Sequence, residues 1–213
     1  MRWPKPAPPE SLDRAALPVI RIAIFLFDGA EELDWAGPWE VLAAWSQMWP
    51  DDGVEVFTVA ATDAPVVCAK GLRVLADHTW ATAPPADVLV VPGGVGTRPL
   101  TRHDETVAWV QSHAARSALV TSVCTGSLLL AAAGLLRDRP ATTYWSAFDE
   151  LRALEPTVEA RPDDRFVDAG EIVTAAGVSA GIDMALHLVA RLRSVDRARE
   201  VRRYIQYDPA PPV

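Results

Sequence analysis

Cys124 is the strongest candidate nucleophile, because it lies where a predicted strand, residues 118–123, meets a predicted helix that begins at Thr125. Free backbone N–H groups and the positive end of the helix dipole favour a thiolate at such a turn, which predicts a thiol that ionises readily. The alternative is a structural cysteine, since free cysteines are commonly buried. This segment alone leaves both interpretations open.

Two other predicted strands end in candidate groups. Asp34 lies between Leu33 and Trp35, where burial would raise its pKa and suit it to acid–base catalysis. Its alternative role is that of a helix N-cap. Gly93 and Gly94 follow another predicted strand, and their N–H groups are suited either to binding a substrate-derived anion or only to forming a turn.

These groups converge only if their strands are neighbours. Predicted strands alternate with predicted helices, which indicates an α/β fold with a doubly wound, mainly parallel sheet flanked by helices. Ligands bind beyond the carboxyl ends of the strands in such sheets. The predicted strands are 19–27, 54–60, 87–91 and 118–123, with a small β excursion around Gly71, a short β-like segment at 141–143 and a hairpin at 166–174. The predicted helices are 31–49, 106–115, 125–135, 146–154, 179–192 and 195–204.

The first predicted helix carries three further expectations. Pro38 is poorly tolerated inside a helix, so the regular helix is expected to begin near Gly37. Glu31 and Glu32 are interpreted as a solvated pair in the first turn, favoured by the helix dipole. Four tryptophans form two i,i+4 pairs and are expected to pack in the core or at an interface: Trp35, Trp39, Trp45 and Trp49.

Composition limits the possible classes of function. With 213 residues, 50% of them hydrophobic, the chain is expected to form one domain over 19–213 after a disordered, Pro-rich extension over 1–18. A net charge of −8 argues against nucleic-acid binding as the main function. The two cysteines and four histidines lack the spacing of a disulfide framework or a metal site. The apolar runs are too short to span a bilayer and no signal peptide is apparent, so a cytoplasmic protein is expected.

With these motifs in place, the chain resembles the ThiJ/PfpI superfamily, whose fold is flavodoxin-like and class I glutamine amidotransferase-like. Within it, the resemblance is to the isonitrile hydratases. They share an Asp where many members have Glu, and a Thr after the cysteine where peptidase-like members have His. The matching segments are 33–38, 92–94, 121–128, 133–136, 141–143 with Trp145, and 180–183.

The resemblance implies hydration of an isocyanide to an N-substituted formamide through a Cys124 thioimidate. It assigns Cys124 as nucleophile and Asp34 as its acid–base partner, and it places Thr125 among the catalytic residues. Val178 falls where these enzymes have a β-branched residue near the active site, as part of the substrate-binding set with the two glycines. A homodimer without metal or other cofactor is implied.

One position departs from the family pattern: Tyr144 stands where the motif Ala-Thr-Thr-His-Trp has histidine. Two alternative functions remain open. A glyoxalase or deglycase-like enzyme acting on reactive carbonyls would use the same thiol, but usually with Glu and His. A stand-alone ligand- or redox-sensing module would use Cys124 as an oxidisable thiol. Regulators of the superfamily add a C-terminal helix-turn-helix region to this domain, and that region is not expected here because the chain ends soon after Tyr207.

Overall fold

Strands and helices alternate along the chain in a computed structural model that describes residues 19–209. The extension predicted over 1–18 lies outside these residues, as do residues 210–213 of the predicted domain. The strands are β1 (Ile20–Phe25), β2 (Val54–Ala60), β3 (Val66–Val67), β4 (Arg73–Val74), β5 (His78–Thr79), β6 (Val88–Val91), β7 (Leu119–Val123), β8 (Pro140–Ala141), β9 (Glu159–Ala160), β10 (Phe166–Asp168) and β11 (Ile172–Ala175). The helices are α1 (Glu32–Met48), α2 (Thr97–Leu100), α3 (Asp104–Ala114), α4 (Gly126–Ala132), α5 (Phe148–Leu154), α6 (Ala180–Leu192) and α7 (Val195–Tyr204).

The main sheet has seven strands in the order β10-β11-β7-β6-β1-β2-β5. All neighbours pair in parallel except the hairpin of β10 and β11, which confirms the predicted doubly wound, mainly parallel sheet. Every residue of β6 and β7 is buried. Strands in the middle of such a sheet are buried along their whole length because helices cover both faces, and here this includes the polar Thr121 and Ser122 of β7.

Helix α1 begins at Glu32, so the expectation that Pro38 delays its start to Gly37 is wrong. Tertiary packing outweighs the lost backbone hydrogen bond, because this part of α1 lies directly against α6. A Cβ added to Gly37 would meet Ile182 at 3.0 Å, and one added to Gly181 would meet the Pro38 ring at 3.2 Å. The close crossing of the two helices therefore keeps the proline inside α1.

The remaining differences concern short elements. The four-residue helix α2 and the two-residue strands β5 and β9 have too few residues to show a hydrophobic period, so the sequence did not predict them. The β excursion predicted around Gly71 is the hairpin of β3 and β4, and the predicted hairpin at 166–174 is confirmed as β10 and β11. Within residues 19–209, no helix is long and apolar enough to cross a membrane.

Candidate active site

The three predicted strand ends meet at one edge of the sheet, because β7, β6 and β1 are neighbours in that order. The loops beyond them are joined directly. Ala30 and Gly94 form an isolated antiparallel bridge, and the Glu31 N–H donates to the Gly93 carbonyl at 2.9 Å. The arrangement brings Cys124, Asp34 and the glycine turn together, as the sequence predicted.

Cys124 forms a strained turn between β7 and α4. Its φ of 57° is left-handed, a conformation that costs a non-glycine residue about 1–3 kcal/mol. Its N–H donates to the carbonyls of both Ala175 and Ala176 at 3.0 Å. A Cβ on Gly126 would lie 2.2 Å from the Val91 carbonyl oxygen, so only glycine fits where the helix begins.

Two hydroxyl groups hold the peptide that follows the cysteine. The Ser127 and Thr143 side chains both donate to the Cys124 carbonyl at 3.1 Å, and both residues are buried. These contacts help to hold Cys124 in its left-handed conformation. Both residues lie in segments that carry the family resemblance, but their sequence did not reveal this role.

Asp34 faces the cysteine from a fully buried position. Its Oδ2 accepts the Gly93 N–H at 2.9 Å, while Oδ1 has no hydrogen-bond partner among the described residues. Burial raises the pKa of Asp34 to about 7, although the Gly93 N–H and the Cys124 thiol act to lower it. The N-cap interpretation is wrong, because Asp34 is the third residue of α1 and its side chain reaches a different loop.

The Cys124 thiol does not ionise on its own, contrary to the expectation from its position at the turn. Burial, followed by the negative charge of Asp34, raises its pKa to about 12. The N–H groups of Thr125 and Val178 act in the opposite direction without offsetting these effects. At neutral pH the thiol therefore keeps its proton, and the titratable group that faces it is the Asp34 carboxyl.

Val178 supports the sulfur through its backbone. Its φ is 49°, which is strained for a β-branched residue, and its N–H reaches the Cys124 thiol. The preceding Gly177 lies against the Tyr144 ring, since an added Cβ would meet the Tyr144 Cδ2 at 2.6 Å. Tyr144 therefore packs against the segment that carries a hydrogen-bond donor to the sulfur. Its ring centroid lies 5.6 Å from that of Trp145, which is exposed.

The turn formed by Gly93 and Gly94 holds the side chains of Asp34 and Thr125 in place, and its backbone N–H groups are not free to bind a substrate. The Gly93 N–H is taken by Asp34, and the Gly94 N–H donates to the Thr125 hydroxyl at 2.9 Å. A Cβ on Gly93 would lie 2.5 Å from the Thr125 nitrogen and 2.8 Å from Asp34 Oδ2. The predicted use of both N–H groups for a substrate anion is therefore not what this arrangement offers, because each N–H already has an acceptor.

The acidic pair at the start of α1 is less solvated than expected. Glu31 forms an ion pair with the Lys70 side chain, and Glu32 accepts the Lys70 backbone N–H at 2.7 Å. These contacts fasten the hairpin of β3 and β4 to the loop that leads to Asp34. Trp35 and Trp45 are buried in the core, as predicted.

The histidines do not contribute to this site. His103 contacts Thr106, His113 contacts Trp109 and His187 contacts Asp168. The fourth, His78, packs edge-on against Phe57. In the part of the chain that the structure describes, no three His, Cys, Asp or Glu side chains cluster as metal ligands would.

A doubly wound sheet that places a left-handed cysteine opposite a buried carboxyl defines the class of this protein. The DJ-1/PfpI family model matches residues 20–191, and the chain belongs to that family. Isonitrile hydratase from Pseudomonas putida is 42% identical over 91% of this chain and 81% of its own length. A ThiJ/PfpI family protein from Pseudomonas syringae has a solved structure that is 33% identical and covers 97% of this chain and 84% of its own, with a TM-score of 0.83.

Regulators also carry this domain. The helix-turn-helix transcriptional regulator GbdR from Pseudomonas aeruginosa is 30% identical over 80% of this chain, which spans 46% of the regulator's length. The family includes glyoxalases and deglycases as well. Family membership alone therefore leaves several functions to be distinguished by the site.

Proposed function

We propose that this protein is an isonitrile hydratase that converts an isocyanide, R–NC, into the N-substituted formamide R–NH–CHO. The observation that carries the proposal is the buried pair of Cys124 and Asp34 beside the Thr125 hydroxyl, with the pKa of Asp34 raised to about 7. The 42% identity to a named isonitrile hydratase supports it. An isocyanide has no net charge, so it can enter this buried site without a large desolvation cost.

The first step forms a thioimidate. The Asp34 carboxylate takes the thiol proton of Cys124, and the thiolate attacks the terminal carbon of the isocyanide. That carbon then holds an electron pair and takes the proton back from Asp34. The product, R–N=CH–S–Cys, leaves Asp34 as a carboxylate. The Thr125 and Val178 N–H groups stabilise the sulfur while it is charged.

The second step releases the formamide. Asp34 takes a proton from water as hydroxide adds to the thioimidate carbon, and this proton passes to the nitrogen. The adduct R–NH–CH(OH)–S–Cys then breaks its carbon–sulfur bond, and its hydroxyl proton returns to the sulfur through Asp34. One isocyanide and one water thus give one formamide, with Cys124 and Asp34 restored.

Two alternatives compete with this proposal. Glyoxalase or deglycase-like chemistry would use the same thiol on a carbonyl carbon, and relatives with these activities support it. A redox sensor needs an accessible thiol that ionises readily, whereas the Cys124 residue is only 5% exposed and the pKa of its thiol is raised. The site therefore favours an enzyme. The homodimer, the single domain over 19–213 and the cytoplasmic location stay predictions.

Turnover of para-nitrophenyl isocyanide tests the proposal, with the formamide followed by absorbance. We expect Cys124→Ala to lower kcat more than about 10⁴-fold, because removal of a nucleophile leaves only binding and electrostatic effects. Cys68→Ala is the matched control, since Cys68 is also a free, buried cysteine and should leave kcat within about 3-fold of wild type.

Other outcomes favour other functions. Retained turnover in Cys124→Ala would exclude Cys124 as the nucleophile. A wild type that leaves the isocyanide intact but converts methylglyoxal would favour the carbonyl enzyme. A wild type inactive on both substrates, with stable oxidation of Cys124 by peroxide, would favour the sensor.

A further inference from the structure

Thr97 is a fully buried threonine at the start of α2, outside the set of residues that the sequence assigned to the site. Its hydroxyl lies 2.8 Å from the Gly94 carbonyl oxygen and 3.0 Å from the Thr125 hydroxyl oxygen. The Thr97 backbone N–H donates to the same Gly94 carbonyl at 3.2 Å. Thr97 therefore contacts both residues that form the glycine side of the site.

The Gly94 carbonyl has more candidate donors than it can accept. Its oxygen offers two lone pairs, while three donors surround it: the Thr97 N–H, the Thr97 hydroxyl and, at 3.2 Å, the Thr125 hydroxyl. The Thr97 hydroxyl makes the shortest of the three contacts. When it donates there, both lone pairs are used and the Thr125 hydrogen is displaced.

The displaced hydrogen is then free to donate to a substrate. The Thr125 oxygen itself stays fixed, because it accepts the Gly94 N–H at 2.9 Å. In the opposite arrangement, the Thr97 hydroxyl donates to Thr125 and the Thr125 hydrogen turns to the Gly94 carbonyl. The rotation of one hydroxyl group on Thr97 thus decides whether Thr125 offers a hydrogen to the site.

We propose that Thr97 is a positioning residue that controls the direction of the Thr125 hydroxyl hydrogen and keeps it available to the thioimidate nitrogen. This inference rests on the proposed function. A hydrogen bond to that nitrogen withdraws electrons from the adjacent carbon and favours the addition of water. Without the Thr97 hydroxyl, a lone pair on the Gly94 carbonyl becomes free and captures the Thr125 hydrogen.

The test uses Thr97→Val, which keeps the shape of the side chain and removes the hydroxyl. We expect kcat for para-nitrophenyl isocyanide to fall about 10-fold with KM changed less than about 2-fold, because the lost interaction acts on an intermediate. Thr97→Ser restores the hydroxyl and should stay within about 2-fold of wild type. Thr101→Val is the matched control, since within residues 19–209 the Thr101 hydroxyl donates only to the Arg98 carbonyl, at 2.8 Å in an exposed hydrogen bond.

A second background separates positioning from general damage. In Thr125→Val the target hydroxyl is absent, so adding Thr97→Val should change kcat less than about 2-fold. A full 10-fold loss in that background, or an unchanged kcat in Thr97→Val alone, would overturn the proposal.

A substrate-free measurement distinguishes this inference from the proposed function. The effects of Thr97→Val and Thr125→Val on the free energy of unfolding should be non-additive, because the two hydroxyl groups share one acceptor. Additive effects would refute the hydroxyl arrangement even if the wild type were an active hydratase. A wild type without turnover would refute the proposed function, and the unfolding measurements would still decide whether Thr97 controls Thr125.

Discussion

Within residues 19–209, two aspartates are almost fully buried, Asp34 and Asp52, and their surroundings are opposite. Asp52 accepts hydrogen bonds from the Trp45 Nε1–H at 2.7 Å, from Arg193 Nε at 3.0 Å and from Arg197 Nε at 2.6 Å. Asp34 accepts one backbone N–H and faces a thiol, and its Oδ1 lacks a partner within residues 19–209. Asp52 thus has hydrogen-bond donors and positive charges that offset its burial, whereas Asp34 has a single backbone donor.

The pKa values follow this difference. Burial raises the pKa of Asp34 to about 7. Burial also acts to raise the pKa of Asp52, but the hydrogen bonds from Arg197 and Trp45 and the two guanidinium charges outweigh it, so this pKa is lowered. Asp52 is thus held ionised and fastens the turn after α1 to α7, whereas Asp34 is poised to exchange a proton near neutral pH.

Replacement of Asp34 should have the largest effect on catalysis. We expect Asp34→Asn to lower kcat about 10³-fold, because the amide accepts no proton from Cys124 and returns none to the carbon. Asp52→Asn is the matched control and should leave kcat within about 3-fold of wild type, since Asp52 lies outside the site. Steady-state turnover of para-nitrophenyl isocyanide measures both. If Asp34→Asn were as active as Asp52→Asn, Asp34 would not be the acid–base group of the reaction.

The pH dependence should show activity and stability moving in opposite directions. Asp34 must be ionised to accept the thiol proton, so kcat/KM is expected to rise through about pH 7. Its pKa is higher in the folded protein than in the unfolded chain, so its stabilising contribution is full below about pH 4 and is lost as the pH rises through about 7. Three pKa units correspond to about 4 kcal/mol.

Urea unfolding of wild type and Asp34→Asn at pH 5 and pH 8 isolates this contribution, because every other titrating group is common to both proteins. The wild type should lose stability relative to the variant between these pH values. A constant difference would show that the pKa of Asp34 is not raised by folding.

The contrast also separates what the sequence could predict from what it could not. Strands that alternate with helices predict a parallel sheet, in which the ends of β1, β6 and β7 converge if these strands are neighbours. The observed strand order meets that condition and brings Asp34 and Cys124 to one edge of the sheet. Burial of Asp34 was foreseen from its apolar neighbours. The raised pKa of Cys124 was not foreseen, because it depends first on how deeply the folded protein buries the turn and then on the charge of Asp34, which lies 90 positions away in the chain.

The missed contacts share one cause, which is that they form between distant segments without a local signal. Asp52 and Arg197 lie 145 residues apart in the chain, and Thr97 and Thr125 lie 28 residues apart. The strained φ of Val178 is likewise imposed by tertiary packing, since a β-branched residue has no local preference for it. Local propensity and period thus predict the elements, whereas their side-chain partners require the assembled fold.

Stability should be the property that Asp52 controls. We expect Asp52→Asn to lower the free energy of unfolding by about 2 kcal/mol at pH 7, because two arginines lose a charged acceptor while the Trp45 N–H keeps a neutral one. Arg193 is 41% exposed and water replaces part of its lost contact, which keeps the cost below that of a fully buried pair. Urea unfolding at pH 7 measures the change. Asp34→Asn should be no less stable than wild type there, because a neutral amide avoids the burial of an under-bonded charge. If Asp52→Asn and Asp34→Asn lowered the free energy of unfolding equally, the arginine and tryptophan donors around Asp52 would not make it the more stabilising of the two aspartates.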